Sequence, residues 1–525
     1  MRGLLASDAL RALRRAAPPA VVGAPPRAAG PAAAGAPARA ALAVLVVCVG
    51  LAAPATGCGD HVRIALRLPD DALDDPLSAI DALVLSAEVG AGGETIASRR
   101  FSATAARLTL DPVPYREDLS LVLTGVNELP GGDSVRSIGR TCPADFAHGA
   151  VPADPLPMYF AAARRFAAVA APPAGTPPAL LEGQGGLAIV LDHARVLLGG
   201  GAVPGAEPLA DALEYDHASG ALAARTVTGL ARAGAALAPL RGGWLVAGGA
   251  AGTGALDDAV FVRADGAVTA RERTLGTPRT YFTLTALPDG RLLVAGGHDG
   301  ATPLASAEVC DPAADPNQCL PGPGEFVPVG SLATPRWGHT ATAVLPNAVF
   351  VIGGCAGDLA PRCPAGAAVA TIEVYSPVDE TFSPSGTAVL ADNRAGHTAT
   401  VLDDFSILVA GGVGLDGFPL DSAELFDPTS RDIAATAEPM LTAREGHTAT
   451  RLPDGRVLVA GGRGRDGEPL ASAEIYDPAD RTFVVTADLR AARAGHVAVV
   501  LCDGTVLLAG GAAAPPYAEI YTPQP

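Results

Sequence analysis

The stretch of sequence that decides the fold runs from residue 444 to residue 485, REGHTATRLPDGRVLVAGGRGRDGEPLASAEIYDPADRTFVV. Variants of it recur C-terminal to about residue 160, and each contains an apolar run that ends at a pair of glycines. These pairs are Gly199/Gly200, Gly248/Gly249, Gly296/Gly297, Gly353/Gly354, Gly411/Gly412, Gly461/Gly462 and Gly510/Gly511. The steps between them are 49, 48, 57, 58, 50 and 49 residues. Seven copies at this period predict an array of seven similar supersecondary units.

The sequence of each unit predicts four short strands. The first starts at His447, and the Leu-Pro-Asp-Gly sequence at 452–455 predicts a tight turn, because Asp-Gly tolerates positive φ. The continuous apolar run at 457–460 predicts a second strand buried on both faces. A third strand follows at 473–476, and a fourth begins near Phe483. Four strands in about 50 residues, with no helical period, predict an all-β fold.

The segments R-x-G-H-T-A-T, L-P-D-G-R-V-L-V-A-G-G and S-A-E-x-Y-D-P resemble the kelch repeats of bacterial proteins. The resemblance covers about residues 164 to 525 and implies a seven-bladed kelch-type β-propeller. The second and third repeats depart from the pattern, with Ala235 and Phe282 where later repeats have histidine.

The two ends of the repeat region complement each other. Residues 164–166 (RRF) align with 481–483 (RTF), the start of a fourth strand, yet no complete unit precedes them. The last unit stops after its third strand, at Tyr521. We therefore expect residues 164–170 to form the outermost strand of the seventh blade, which closes the ring and removes exposed sheet edges.

The N-terminal residues 1–57 predict a signal peptide with a low-complexity extension. Residues 41–53, ALAVLVVCVGLAA, are too short to span a bilayer but suit a signal-peptide core. The small residues before Cys58 resemble a lipobox, which implies a lipoprotein acylated at Cys58, although Ala55 stands where the family usually has leucine. We expect a cell-envelope protein, lipid-anchored to the inner or outer membrane. Soluble secretion and an uncleaved anchor are the alternatives.

Residues 58–157 lack the repeat and contain short strand-like runs separated by Gly, Pro and Asp clusters. This pattern predicts a small β-sandwich-like domain ahead of the propeller, which then occupies residues 158–525. The net charge of −18 argues against nucleic acid as a partner, because phosphate binding requires clustered cations. We expect a monomer.

The cysteines outside the signal region predict two local disulfides. Cys310 and Cys319 bracket one insertion, Cys355 and Cys363 bracket another, and loops of this length close easily. A metal site is the competing interpretation, but neither pair has C-x2-C spacing. Cys142 and Cys502 have no partner that the sequence assigns.

Histidine and charged residues recur at fixed positions of the repeat. A residue present in every regular repeat serves the repeat, so we expect hydrogen bonds and ion pairs between or within blades, and no metal or other cofactor. The residues are His339, His397, His447 and His496; Glu308, Glu373, Glu424, Glu474 and Glu519; and Arg336, Arg394, Arg444 and Arg493.

Two functions from different classes are compatible with this pattern. The preferred hypothesis is a non-enzymatic binding or scaffold protein that recognises a protein or glycan through the variable loops. The alternative is a copper radical oxidase similar to galactose oxidase, whose site requires two His, a Tyr ligand and a Tyr cross-linked to a Cys. The expected binding face carries Asp299, Trp337, Asp416, Phe418, Arg465 and Asp466, with Trp337 and Phe418 as aromatic anchors.

Overall fold

The structure is a computed structural model of the 525-residue chain. It describes residues 42–45, 47–51, 64–69, 76–77, 80–89, 94–103, 108–113, 118–129, 132–144, 156–169, 184–192, 194–202, 211–227, 229–252, 254–270, 275–311, 326–344, 348–512 and 515–524. All regular elements in these ranges are strands, so the all-β prediction is confirmed. None of the described residues belongs to a helix long and apolar enough to cross a membrane.

The chain divides into two compact units. The first comprises Met1–Ala163 with 502–504 and 524–525, and the second comprises Arg164–Leu501 with 505–523. The first unit contains β1 (Leu42–Leu45), β2 (Val47–Leu51), β3 (Ile64–Arg67), β4 (Ala82–Val89), β5 (Thr95–Ser102), β6 (Leu108–Val113), β7 (Leu119–Leu129), β8 (Gly132–Thr141) and β9 (Leu156–Ala162).

Seven of these strands form one mixed sheet in the order β1-β3-β9-β8-β7-β4-β5, and β2 pairs with β6 in parallel. One apolar core, which includes Leu85, Leu110 and Phe160, lies within this unit. The segment predicted to be the signal-peptide core contains β1 and β2, whereas Cys58 lies outside the described residues.

The second unit begins with β10 (Arg165–Ala168) and contains seven antiparallel four-stranded sheets, named sheet 1 to sheet 7 in chain order. Sheet 1 contains β11 (Gln184–Val190), β12 (Arg195–Ala202), β13 (Asp211–Asp216) and β14 (Ala221–Thr226). Sheet 2 contains β15 (Ala236–Leu240), β16 (Gly243–Ala247), β19 (Ala259–Arg263) and β20 (Val268–Ala270), with a hairpin of β17 (Ala250–Ala251) and β18 (Gly254–Ala255) inserted. Sheet 3 contains β21 (Thr283–Ala286), β22 (Leu292–Ala295), β23 (Ala307–Cys310) and β24 (Val327–Pro328).

The remaining sheets follow the same order. Sheet 4 contains β25 (Thr340–Ala343), β26 (Val349–Ile352), β27 (Thr371–Ser376) and β28 (Thr381–Val389). Sheet 5 contains β29 (Thr398–Val401), β30 (Ile407–Ala410), β31 (Ala423–Phe426) and β32 (Ile433–Ala435). Sheet 6 contains β33 (Thr448–Arg451), β34 (Val457–Ala460), β35 (Ala473–Asp477) and β36 (Thr482–Val485). Sheet 7 contains β37 (Val497–Val500), β38 (Val506–Ala509), β39 (Ala518–Thr522) and, as its fourth strand, β10.

The pairing of β10 with β39 joins strands from opposite ends of the second unit. Phe166 lies opposite Tyr521, and their ring centroids are 4.8 Å apart. In sheet 6 the equivalent rings of Phe483 and Tyr476 are 4.9 Å apart. The N-terminal strand therefore packs in sheet 7 as a sequence-local fourth strand packs in sheet 6.

Apolar side chains fill the spaces between consecutive sheets. The second strand of each of sheets 3 to 7 is buried at all four residues, as its continuous apolar run predicts. One cluster joins Val409 of sheet 5 to Phe350 of sheet 4, and another joins Tyr476 of sheet 6 to Leu408 of sheet 5. The core of this unit is thus divided among the sheet-to-sheet contacts.

The first glycine of the pair that ends the second strand in sheets 2 to 6 is required by the next sheet. Gly461 has a φ of 60°, and a Cβ there would lie 2.6 Å from the Arg493 carbonyl oxygen and 2.9 Å from His496 Cε1. A larger residue would therefore clash with the first segment of sheet 7 as well as adopt an unfavourable backbone conformation.

Candidate functional site

The recurring arginines and glutamates form buried ion pairs within sheets 3 to 7. In sheet 6 the Arg444 guanidinium donates to Glu474 Oε1 at 2.6 Å, to the Gly461 carbonyl at 2.7 Å and to the Ser472 carbonyl at 3.0 Å. The Glu474 carboxylate also accepts the backbone N–H of Leu441 at 2.7 Å. The equivalent pairs are Arg279–Glu308, Arg336–Glu373, Arg394–Glu424 and Arg493–Glu519. Each of these carboxylates bonds its arginine and at least one backbone N–H of the scaffold, so they serve the scaffold.

The four recurring histidines connect neighbouring sheets. The Nε2 of His447 lies 3.0 Å from the hydroxyl of Thr398 in the preceding sheet. His339, His397 and His496 make the same contact with Thr283, Thr340 and Thr448, at 3.1, 3.1 and 2.9 Å. Burial, helped by the nearby Arg444, lowers the pKa of His447 to about 3, so the ring is neutral. These imidazoles occupy the interior and do not converge on a shared site.

A backbone hydrogen-bond chain links the segments that precede the first strands of sheets 2 to 7. The position two residues after the recurring arginine, here called the glycine position, is Gly234, Tyr281, Gly338, Gly396, Gly446 and Gly495. From Tyr281 onward, each N–H donates to the carbonyl of the preceding member, over distances of 2.8 to 3.4 Å. A Cβ added at Gly396 would meet nothing within 4 Å. The chain therefore borders open space at this end of the sheets.

Tyr281 is the one side chain larger than hydrogen at the glycine position. Its φ of 52° lies in the left-handed region, which the glycines at this position also adopt with φ between 57° and 64°. A non-glycine residue there costs roughly 1–2 kcal/mol. Tyr281 is 43 % exposed, yet desolvation raises the pKa of its phenol, which is therefore protonated at neutral pH. A strained aromatic at an open end is a candidate functional residue.

Trp337, expected as an exposed binding anchor, is buried with 7 % of its surface accessible. Its Nε1 donates to the Gly357 carbonyl at 2.8 Å, and its ring packs in an apolar cluster with Cys355 and Cys363. The centroid of its ring lies 5.9 Å from that of Tyr281. The loop that follows the second strand of sheet 4 covers it, and this burial is the reason that the anchor expectation needs correction.

The other residues of the expected binding face lie in the loops that follow second strands. Asp299, Asp416 and Asp466 each accept a backbone N–H two residues ahead, at 2.7, 3.0 and 3.0 Å, and so stabilise their own turns. Phe418 is 50 % exposed, and Arg465 is exposed. The structure thus gives the three aspartates a local structural role.

Sheets 3 and 6 carry further polar departures from the repeat at the same end as Tyr281. His298 pairs through its backbone with Thr280, and its Nδ1 accepts the Gly300 N–H at 3.0 Å. Nε2 then carries the proton, and it is buried with no hydrogen-bond partner among the described residues. Burial raises the pKa of Glu445, and its ion pair with Arg362 opposes this effect.

Sequence reasoning missed Tyr281, His298 and Glu445, although a signal for them exists. Aligned on the recurring arginine, these positions hold Gly, Ala or Val in most other units. Alignment of the units therefore identifies residues that differ from the other units at the same position. A search for recurring residues alone finds mainly the residues that stabilise the scaffold.

Five cysteines among the described residues are disulfide-bonded. Cys355 and Cys363 are bonded with an S–S distance of 2.02 Å. Cys142 and Cys502, both in the first unit, form a second disulfide. Cys310 is also disulfide-bonded, and Cys319 lies outside the described residues.

Comparison with known proteins gives a structural likeness and no sequence match. The chain matches no known protein family and no curated protein by sequence. It is similar to a solved structure described as a fungal alcohol oxidase of the AA5 family in complex with copper, with a TM-score of 0.51 and 15 % identity. The match covers 66 % of this chain and 75 % of that chain.

This likeness overturns the expectation of a non-enzymatic binding or scaffold protein. That expectation took the repeat fold, without a recognisable catalytic motif, as an indication that the protein is not an enzyme. The solved structure with a similar fold is an enzyme, so the fold gives no support to that inference.

Proposed function

We propose that the seven sheets form a closed, seven-bladed kelch-type β-propeller and that the chain is an oxidase acting on an alcohol at the end that carries Tyr281. Closure is supported by contacts between the first strands of sheets 2 to 7 in order, and by the contact of β37 with β11 of sheet 1. The hydrogen-bond chain through the glycine position would then run along sheets 2 to 7 around the axis of the propeller.

The observation that carries the oxidase proposal is the strained, half-exposed Tyr281 at this axial end of a fold shared with an alcohol oxidase. The backbone of Tyr281 is fixed on both sides, since its N–H donates to Gly234 and its carbonyl accepts from Gly338. The protonated phenol can donate a hydrogen bond to the oxygen of a bound alcohol. The Trp337 ring limits the positions that the Tyr281 ring can take.

The described residues do not complete a copper radical centre with two His, a Tyr ligand and a Tyr–Cys cross-link. Five cysteines are in disulfides, so none of these five offers a thiol to Tyr281; they are Cys142, Cys310, Cys355, Cys363 and Cys502. The four recurring histidines bond threonine through Nε2, and their Nδ1 atoms are buried out of solvent reach. No step is therefore assigned to copper, and the proposal concerns the reaction class and its location.

Peroxide release from a panel of primary alcohols, together with metal analysis of the purified protein, tests this proposal. An alcohol oxidase transfers two electrons and two protons from R-CH2OH to O2 and yields an aldehyde and H2O2. Tyr281→Phe should abolish alcohol-dependent peroxide. Tyr476→Phe is the matched control, because the Tyr476 hydroxyl is buried and has no hydrogen-bond partner among the described residues. Full activity in Tyr281→Phe, or no activity with any alcohol, would refute the proposal.

We also propose that the protein is exported and lipid-anchored at Cys58, and this is a separate proposal. It is supported by the apolar run at 41–53 and by the small residues that precede Cys58. Metabolic labelling with a palmitate analogue should mark the wild-type protein and fail on Cys58→Ala. Equal labelling of both proteins would exclude acylation at this residue.

A further inference from the structure

Residues 355–368, here called the stapled loop, form a rigid insertion after the second strand of sheet 4. Its disulfide joins Cys355 and Cys363, which are 0 % and 4 % exposed. The Ala356 N–H donates to the Ala367 carbonyl at 2.9 Å and closes the base of the loop. A buried covalent bond and a closed base restrict this segment in the folded state.

The stapled loop is also attached to the two following sheets. The Gly366 N–H donates to the Leu415 carbonyl of the sheet 5 loop at 2.7 Å. The Arg362 guanidinium pairs with Glu445, which precedes the first strand of sheet 6. Arg362 is 28 % exposed and Glu445 12 %, so this ion pair is partly shielded from water. The loop therefore has attachments to sheets 4, 5 and 6.

Trp337 lies between the stapled loop and Tyr281. Its backbone exchanges two hydrogen bonds with Cys355, at 3.0 and 2.8 Å, and its Nε1 donates to the Gly357 carbonyl within the loop. Cys355 and Cys363 belong to the apolar cluster that surrounds the indole. The indole also contacts the Tyr281 ring, with a centroid distance of 5.9 Å and an interplanar angle of 53°.

We propose that the Cys355–Cys363 disulfide is a positioning element for Tyr281 and acts through Trp337. The disulfide holds the loop segment that provides the Gly357 carbonyl and the apolar wall of the indole, and the fixed indole restricts the Tyr281 ring. Tyr281 is 43 % exposed, and Trp337 provides its one ring contact among the described residues. The inference rests on the proposed function of Tyr281 only for its effect on activity.

The chain has two tryptophans, Trp244 and Trp337, so 5-fluorotryptophan labelling gives a two-signal 19F NMR spectrum, assigned with Trp244→Phe. In Cys355→Ala/Cys363→Ala the Trp337 signal should shift and broaden, while the Trp244 signal stays in place as an internal control. Trp244 donates its Nε1–H to Val190 in sheet 1, far along the chain from the loop. Arg362→Gln, which keeps the disulfide and removes only the ion pair with Glu445, should shift the Trp337 signal less than the double alanine variant does and leave the Trp244 signal in place.

An unchanged Trp337 signal in the double alanine variant would overturn the proposal. So would equal shifts of both signals, since the disulfide would then support the whole fold, or a shift in Arg362→Gln as large as in the double variant. If the wild type oxidises alcohols, the double variant should lose on the order of 10²-fold in kcat with little change in KM. If the wild type has no activity, the oxidase proposal fails while the NMR result still decides the positioning claim.

Discussion

Replacement of Arg444 by methionine tests whether the recurring ion pairs hold the sheets together. The side chains of Arg444 and Glu474 are 0 % and 2 % exposed, and burial lowers the pKa of Arg444 while Glu474 opposes the shift. Arg444→Met would leave the Glu474 carboxylate charged and buried, and it would leave the Gly461 carbonyl without its 2.7 Å donor. Removal of one partner of a buried pair costs about 3–5 kcal/mol.

Sheet 2 provides a matched control for this substitution. Arg232 also donates to the carbonyl of the first glycine in its pair, Gly248, at 2.8 Å, but its acidic partner is Asp258, whose side chain is 32 % exposed. Arg232→Met therefore loses the same carbonyl contact and leaves a carboxylate that water can reach. We expect its cost to be smaller than that of Arg444→Met by about 2 kcal/mol.

Urea denaturation of the full chain measures both costs through the change in midpoint at constant slope. Arg444→Met/Glu474→Gln should recover part of the loss, because the uncompensated charge is gone while one oxygen still accepts the Leu441 N–H. Equal costs for Arg444→Met and Arg232→Met, or no recovery in the double variant, would refute the reasoning that the buried charge dominates.

Three further predictions concern the buried histidines, strand β10 and the backbone of Tyr281. Burial and the neighbouring arginines hold the pKa values of the recurring histidines far below the unfolded value of about 6.5. The folded protein therefore loses stability as the pH falls below about 6.5, by about 2 kcal/mol for each histidine at pH 5. The difference in urea midpoint between pH 7 and pH 5 should shrink in His447→Gln, and an unchanged difference would contradict this. Phe166→Ala should cost about 3–5 kcal/mol, as should Phe483→Ala in sheet 6, and a cost below about 1 kcal/mol at Phe166 alone would show that β10 is not a structural part of sheet 7. Tyr281→Gly should be more stable to heat than Tyr281→Ala by about 1 kcal/mol, because only glycine adopts the left-handed conformation without strain, and the reverse order would contradict the assigned φ.

The strands of the repeat could be predicted because local pattern determines them. The apolar run at Val457–Ala460 is β34, and it ends at the glycine pair. Strand positions in the first unit also follow the local pattern, for example Ala82–Val89. The order of that sheet does not, since the parallel pairing of β3 with β9 joins strands about 90 residues apart, and alternation of side chains specifies a face but no partner.

The candidate site was less predictable because it depends on contacts between units of the repeat. Trp337 was expected at the surface, since it stands beside a variable loop, but the disulfide within that loop brings the chain back over the indole. The hydrogen-bond chain through the glycine position involves only backbone atoms, so the recurring glycine marks its members but does not identify their partners in neighbouring units. What the sequence does contain is the exception, a tyrosine where the aligned units have glycine.

Energetics indicate why that exception matters. The left-handed backbone of Tyr281 costs roughly 1–2 kcal/mol, and an aromatic contact such as that with Trp337 contributes about 0.5–1.5 kcal/mol. The two terms nearly cancel, so stability alone gives no reason for a tyrosine rather than a glycine at this position. The hydroxyl adds nothing to the ring contact, and 43 % of the residue is exposed at the end of the sheets. A phenol that the scaffold does not need, held by a fixed backbone and a fixed indole, is best explained by what it can donate to a bound molecule.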